Sequence, residues 1–277
     1  DILTVIIKAY EVQGILALDN AFNQVGLDHV ILVKLASTLC SCYLLGLSKN
    51  EAYAAVSHVF LDGHPLRVYR HKPDTGPRKS WAAGDAGARG VWLAFQAKLE
   101  PLIYSSSITM PKYGFNDALR RGEQTNHTHP LACYTMENIL FKVSYPAEYH
   151  AQTAVECAVL LHEQVGNRLD DVETIFIETQ KPAIDIIVKS GDLKNPADRD
   201  HCLQYMVAVA LLKGDLTASD YEDDIADDPK IDALRQRMEI TESPEMTRDY
   251  YNLEKRAISN SITLQFIDKT STDKIRI

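Results

Sequence analysis

The hydrophobic pattern of this chain changes period midway, which points to a helical part followed by a mixed one. In the first half the apolar residues recur at helical spacing. His29 to Leu45 is a long apolar run (Val30, Ile31, Leu32, Val33, Leu35, Ala36, Leu39) closed by Gly46, a residue suited to the left-handed position just past a helix. Ser48 and Glu51 stand at capping-box spacing and restart a helix through Ala54, Ala55, Val56 and Val59. A further helix is expected from Ser80 through Gln96, where Ala82, Ala83, Ala86, Gly87 and Gly90 leave room for close backbone packing. Between these helices lies a loop, Asp62 to Lys79, rich in Pro, Gly and cations.

In the second half, Ala147 to Gln164 and Asp198 to Lys213 read as helices, and Asp228-Pro229 as an N-cap followed by a first-turn proline. Val172 to Thr179 is β-branched and strand-like. Ser261 to Ile267 alternates as a strand, with Lys274 to Ile277 as its hairpin partner. The expectation is a mainly α chain with an α+β second domain. The boundary falls near residues 122–138, where His127-Thr128-His129-Pro130 breaks the periodicity, giving domains 1–135 and 136–277.

The 277 residues suffice for two ordinary domains. Their net charge of −9 argues against a general nucleic-acid binder or a polybasic membrane-surface protein. No apolar run approaches the roughly 18 residues that a membrane-spanning helix needs. Five Cys without paired spacing read as reduced intracellular thiols. The charge is also unevenly placed. Residues 1–135 carry 13 Lys/Arg against 11 Asp/Glu, whereas residues 136–277 carry 16 against 27. Residues 215–249 alone hold 12 acids and 4 bases, which read as a solvated surface without the arrangement of a calcium loop. The opening Asp1-Ile2-Leu3 and the closing Ile275-Arg276-Ile277 read as cuts within a longer polypeptide.

Chemistry concentrates in four places. His64 to Lys79 packs five Lys/Arg and two His into sixteen residues with one acid, and it runs into a helix start at Lys79-Ser80. Such a loop is either a solvated turn or a receptor for a small polyanion, the helix dipole adding to Arg67, Arg70, His71, Arg78 and Lys79. His29, beside Asp28, precedes an apolar helix and is either a structural histidine or an acid/base. Lys142, between Phe141 and Val143, is either a snorkelling lysine or a partly desolvated one, with His150 a few residues on. Tyr205 is either a core aromatic or a phenol that reaches a site. Cys40-Ser41-Cys42 and His127-Thr128-His129 lack further metal ligands at useful spacing, so no metal is assigned.

In these segments the chain resembles the MmgE/PrpD family, in its dehydratase branch. The resemblance rests on Asn23-Gln24-Val25-Gly26-Leu27-Asp28-His29-Val30, Leu66-Arg67-Val68-Tyr69-Arg70-His71, Arg78-Lys79-Ser80-Trp81-Ala82-Ala83-Gly84-Asp85-Ala86, Met136-Glu137-Asn138 with Phe141-Lys142, Pro146-Ala147-Glu148-Tyr149-His150, and Asn195-Pro196-Ala197-Asp198-Arg199-Asp200-His201-Cys202 with Gln204-Tyr205. It implies an all-helical domain plus a smaller α+β lid domain. It also implies dehydration of the tricarboxylate 2-methylcitrate to 2-methyl-cis-aconitate in propionate catabolism, by acid/base chemistry without an iron–sulfur cluster or other cofactor. The family's active-site positions fall on His29, Lys79, Lys142 and Tyr205, and Arg67, Arg70, His71, Arg78 and His150 are the expected substrate contacts. A further Asp and His are expected from a helical segment upstream of Asp1. On this reading His29 is an acid/base, with the choice between the two open, and Tyr205 binds or protonates substrate. A homodimer is implied, with no nucleic-acid or membrane partner, in a mitochondrial matrix or a bacterial cytoplasm. The alternatives are a sister reaction on another tricarboxylate, such as decarboxylation of cis-aconitate or dehydration of citrate, or a non-catalytic tricarboxylate-binding fragment.

Overall fold

A computed structural model describes residues 1–71, 75–139, 144–252 and 254–277. The chain divides into two compact units, Asp1–Leu140 and Phe141–Ile277, a few residues beyond the expected boundary. The first unit is helical: α1 (Ile2–Asp19), α2 (Val30–Leu44), α3 (Lys49–Leu61), α4 (Arg78–Leu99) and the short α5 (Phe115–Arg120) and α6 (Tyr134–Asn138). The Ser48–Glu51 capping box forms as expected, the Ser48 side chain accepting from the Glu51 N–H and the Glu51 side chain from the Ser48 N–H. Gly46 has φ +65°, the left-handed conformation that only glycine adopts without strain.

The contact between α2 and α4 depends on small residues. A Cβ on Gly90 would lie 2.7 Å from the Lys34 carbonyl and 3.0 Å from the Thr38 nitrogen, so the helices could not keep their approach. Ala82, Ala86, Ala94 and Ala97 are buried along the same helix. A separate aromatic cluster sets Phe115 edge-on to Phe22 and Phe60, with centroids 6.1 and 5.1 Å away.

The stretch that breaks the helical period is held by side chains of α1 and of Asn20 at its end. Asn20 accepts from the Asn126 N–H at 2.8 Å, and Asp19 accepts from the Thr128 N–H at 2.7 Å and its hydroxyl at 2.6 Å. The buried Glu11 carboxylate accepts from the N–H groups of Ala132 at 2.9 Å and Thr135 at 2.8 Å. Backbone groups that no helix satisfies are satisfied here by side chains of one neighbouring segment.

The second unit runs α7 (Gln152–Val165), β1 (Val172–Thr179), α8 (Lys181–Ile187), α9 (Pro196–Arg199), α10 (Leu203–Lys213), α11 (Asp223–Ala226), α12 (Pro229–Gln236), β2 (Met238–Glu242), α13 (Pro244–Tyr251), β3 (Asn260–Phe266) and β4 (Ile275–Arg276). The described strands form one sheet in the order β2-β1-β3-β4. The central strand β1 is parallel to β2, with Ile177 opposite Ile240, and antiparallel to β3, with Ile177 opposite Ile262. One core joins the sheet residues Ile175, Ile177, Ile262 and Leu264 to Val155, Ala158 and Leu161 of α7 and Met206 and Val209 of α10. At roughly 1.5–3 kcal/mol for each fully buried large apolar side chain, this core is the main stabilising term of the unit.

Three expectations change. The helix expected from Asp198 is two pieces. Asn195 caps α9, accepting from the Asp198 N–H at 3.1 Å, while the Asp198 carboxylate pairs with the buried Lys189 at 3.2 Å, and the chain restarts at Leu203. The helix expected from Ala147 begins at Gln152, after a 3₁₀ turn over Tyr149–Ala151. The acidic stretch 215–249 is more than a solvated surface. It contributes Leu216, Tyr221, Ile231, Leu234 and Met246 to buried positions and supplies the edge strand β2.

Candidate active site

In the first unit a backbone bridge assembles the site. Gly26, with φ +86°, ends a 3₁₀ turn and aims the next residues at the cationic loop. Leu27 pairs with Leu66, the Asp28 N–H donates to the Pro65 carbonyl at 2.9 Å, and the Arg67 N–H donates to the Gly26 carbonyl at 3.1 Å. These contacts set His29, at the start of α2, beside Arg67 and Arg70.

Asp28 is fully buried and holds the arrangement together. Its carboxylate accepts from the Val30 N–H at 3.0 Å and from two guanidinium nitrogens of Arg70, Nε and Nη2, the latter at 3.2 Å. Burial alone would raise its pKa; Arg70, the Val30 N–H and the neighbouring His29 outweigh it and hold the carboxyl below its ordinary value. The His29 imidazole is 56% exposed, with Nδ1 3.3 Å from Arg67 Nη1 and 3.6 Å from Asp28 Oδ1. Partial burial, then the Arg70 cation, and Arg67 after it pull the pKa of His29 down, against the pull of Asp28. His29 is therefore a predominantly neutral imidazole at pH 7.

Arg70 and Arg78 are stacked on aromatic rings. The Tyr69 ring has the Arg70 guanidinium 5.2 Å from its centroid and that of Arg78 at 5.4 Å, and Arg78 also lies 4.4 Å from the Trp81 ring. Arg78 and Lys79 occupy the first turn of α4, where the helix dipole adds to their positive charge. His71 is exposed just past the 3₁₀ turn Val68–Arg70. Such a set of cations beside a neutral imidazole suits a small anion that must exchange a proton or a hydrogen bond.

A second charged cluster in this unit has no counterpart in the sequence reading. Lys34 is 3% exposed, with its ammonium donating to Asp62 Oδ2 at 3.1 Å and the Gly63 carbonyl at 2.9 Å. Arg89 grips the same Asp62 carboxylate at 3.0 and 2.7 Å. These three residues, with Val30, Pro65 and Ala86, line a cavity of about 230 Å³. The signal available was a lysine inside the apolar run of α2, which can be tolerated there only when paired.

In the second unit the imidazole of His150 is nearly buried. Its Nδ1 lies 3.0 Å from both oxygens of Glu148 and its Nε2 is 3.3 Å from the Tyr250 hydroxyl, while the backbone N–H of His150 donates to Glu148 at 2.8 Å. Against the upward effect of burial, His150 holds the Glu148 carboxyl below its ordinary value. Tyr250 was not singled out in the sequence, because its approach to His150 exists only in the fold. Tyr205 is a core residue at 2% exposure, stacked on Tyr221 at 6.0 Å, with its hydroxyl donating to the Asp220 carbonyl at 2.5 Å. Burial pushes its phenol up to about 12.

Of the residues expected from sequence, the structure brings together His29, Arg67, Arg70 and Arg78, with Lys79 adjacent in the chain to Arg78. Arg70 is committed to Asp28. His150 and Tyr205 belong to the other unit, and Lys142 lies outside the described residues. Among the described residues no group of three or more His, Cys, Asp or Glu is placed to hold a metal ion, and no helix is long and apolar enough to cross a membrane.

Comparison with known proteins gives this geometry its context. The profile of the MmgE/PrpD N-terminal domain matches residues 1–128, and that of the MmgE/PrpD C-terminal domain matches residues 145–277. The chain is 53% identical to the 2-methylcitrate dehydratase of Escherichia coli (strain K12), over 99% of this chain and 57% of that protein. It is 51% identical to the 2-methylcitrate dehydratase of Cupriavidus necator, over 100% of this chain and 58% of that one. To the mitochondrial 2-methylcitrate dehydratase of Yarrowia lipolytica it is 50% identical, over 100% of this chain and 54% of that one. The chain thus spans a little over half the length of the curated relatives it matches. With both profiles matched in order across nearly all its residues, the chain belongs to the MmgE/PrpD family.

Proposed function

We propose that the polypeptide carrying this chain is a hydro-lyase that removes water from 2-methylcitrate to give 2-methyl-cis-aconitate. The observation that carries the reading is the 50–53% identity, over 99–100% of the chain, to proteins named 2-methylcitrate dehydratase. In the reaction the C–H bond on the methyl-bearing carbon, α to a carboxylate, breaks together with the C–O bond of the neighbouring tertiary alcohol. A C=C bond forms and the hydroxyl leaves as water. Negative charge gathers on the α-carboxylate as the proton departs, and three carboxylates must be held in place, so the site needs cations and donors fixed in advance.

The residues of the first unit suit that need. Arg67 offers positive charge beside a neutral imidazole, and Arg78 and Lys79 add positive charge at the start of α4. Arg70 supports the site from behind through Asp28. His71, Lys142, His150 and Tyr205 complete the set of positions carried over from the family. The proposed partner is a small tricarboxylate and the proposed assembly a homodimer, which sedimentation equilibrium would report as twice the chain mass. The proposed place of action is the mitochondrial matrix in a eukaryote and the cytoplasm in a bacterium.

Proton NMR of 2-methylcitrate, incubated with a polypeptide of the relatives' full length carrying this chain, tests the reading. The substrate methyl is a doublet because its carbon bears one hydrogen. Dehydration removes that hydrogen, so the expected result is collapse to an olefinic methyl singlet. An unchanged doublet, or release of carbon dioxide from cis-aconitate in its place, overturns the proposal.

A further inference from the structure

The hydrogen bonding around His29 bears on what this residue does with its proton. A guanidinium has five N–H donors, no acceptor, and stays charged throughout the accessible pH range. Arg67 Nη1 lies 3.3 Å from His29 Nδ1, so a hydrogen bond between them requires that Nδ1 present a lone pair. The competing acceptor for an Nδ1 proton is Asp28 Oδ1. It stands 3.6 Å away, beyond hydrogen-bond reach, and already accepts from the Val30 N–H at 3.0 Å and Arg70 Nη2 at 3.2 Å. The charged groups facing the ring are thus Arg67, Arg70 and Asp28, and the Asp28 carboxylate is bound to Arg70. Nε2 has no hydrogen-bond partner among the described residues, and the ring is 56% exposed, which leaves that nitrogen accessible.

We infer that Arg67 sets the tautomer of His29, occupying the Nδ1 lone pair so that the neutral ring carries its proton on Nε2 and meets substrate as a hydrogen-bond donor, not as the base. The role toward substrate rests on the dehydratase reading above; the tautomer does not. In that role the Nε2–H donates to the carboxylate oxygen that gains charge, or to the departing hydroxyl, without transferring its proton; the proton with which that hydroxyl leaves as water comes from a separate acid. Abstraction of the carbon-bound proton then belongs to another group. A neutral imidazole used as an electrophile in this way avoids a charged ring among the cations that surround it. Arg67 acts through His29 and is a positioning residue.

Nitrogen NMR of the chain labelled with ¹⁵N-histidine reads the tautomer directly, with His29 assigned by the signal lost in His29→Gln. The expected wild-type spectrum near pH 7.5 shows a protonated Nε2 and an unprotonated, pyridine-like Nδ1. Arg67→Met should populate the opposite tautomer, and Arg67→Lys, which keeps a donor, should restore the Nε2–H form. A wild-type ring protonated at Nδ1, or on both nitrogens, overturns the assignment, as does an unchanged tautomer in Arg67→Met. Because a neutral imidazole favours the Nε2–H form on its own, the wild-type spectrum can overturn the assignment, and it is the pair Arg67→Met and Arg67→Lys, each shown folded by circular dichroism, that ties the tautomer to Arg67. The chemical role is read separately in the full-length polypeptide. Gln carries an N–H donor at similar reach but no base, so His29→Gln should retain at least tenfold more kcat than His29→Ala. Equal loss in the two variants refutes donation while leaving both the tautomer and the dehydratase reading standing.

Discussion

Replacing Asp28 by Asn removes one charge from a fully buried position while keeping its shape. The Asn oxygen can still accept from the Val30 N–H, so the start of α2 survives. What is lost is the paired grip on Arg70, whose side chain keeps only 15% of its exposure. Truncating one partner of a buried, hydrogen-bonded ion pair costs about 3–5 kcal/mol, and the residual access of Arg70 to water places the expected loss near the lower end, about 3 kcal/mol. The two tryptophans, Trp81 and Trp92, both lie on α4, so their fluorescence during urea unfolding reports the first unit. The pH dependence gives a second handle. The folded Asp28 carboxyl sits below its ordinary value, so its contribution is present above the unfolded pKa near 4 and is lost as pH falls through the folded one. The gap between wild type and Asp28→Asn should therefore be full at pH 7 and shrink below about pH 4. A gap under about 1 kcal/mol at pH 7 is no more than a surface ion pair supplies, and it would refute the view that Asp28 holds this site together.

Three further outcomes follow from particular contacts. Gly90→Ala gains helix propensity of about 1 kcal/mol but drives a methyl to 2.7 Å from the Lys34 carbonyl, so a net loss of roughly 1–2 kcal/mol is expected by the same fluorescence assay. Glu11→Gln should speed hydrogen exchange at the amides of Ala132, Tyr134 and Thr135 by tenfold or more, because all three donate to that carboxylate. Unchanged protection there would mean that other contacts hold the segment. Tyr205→Phe should cost about 1 kcal/mol at pH 7 for the lost bond to Asp220. The phenol is held above its unfolded value, so wild type loses the Tyr205 contribution as pH rises from about 10 to about 12, while the variant lacks that component of alkaline unfolding, as circular dichroism would show.

Local features of the fold were readable from residues, and features made by distant pairing were not. The Ser48–Glu51 cap, the strand Val172–Thr179 and the close-packing role of Gly90 each depend on neighbours in sequence or on a single missing side chain. The strand Met238–Glu242 was hidden because its five residues resemble the acidic surface around them and become a strand only by pairing with β1. The same division holds at the site. His29, Arg67, Arg70 and Arg78 stood out by type and spacing, but which cation faces the imidazole and which is bound to Asp28 depends on the bridge between Leu27 and Leu66. Tyr205 shows the converse. Its residue type allowed either a core ring or a reacting phenol, and only the fold reveals the hydroxyl bonded to the Asp220 carbonyl.

We propose that His29 and the cations beside it act on 2-methylcitrate. The most direct test is kcat/KM for 2-methylcitrate in His29→Ala, measured in a polypeptide of the relatives' full length. Loss of one acid, base or electrophilic donor at the reacting centre should lower kcat/KM roughly 100-fold or more. Turnover within about threefold of wild type would contradict the proposal, since removal of a group acting at the reacting centre costs far more than that.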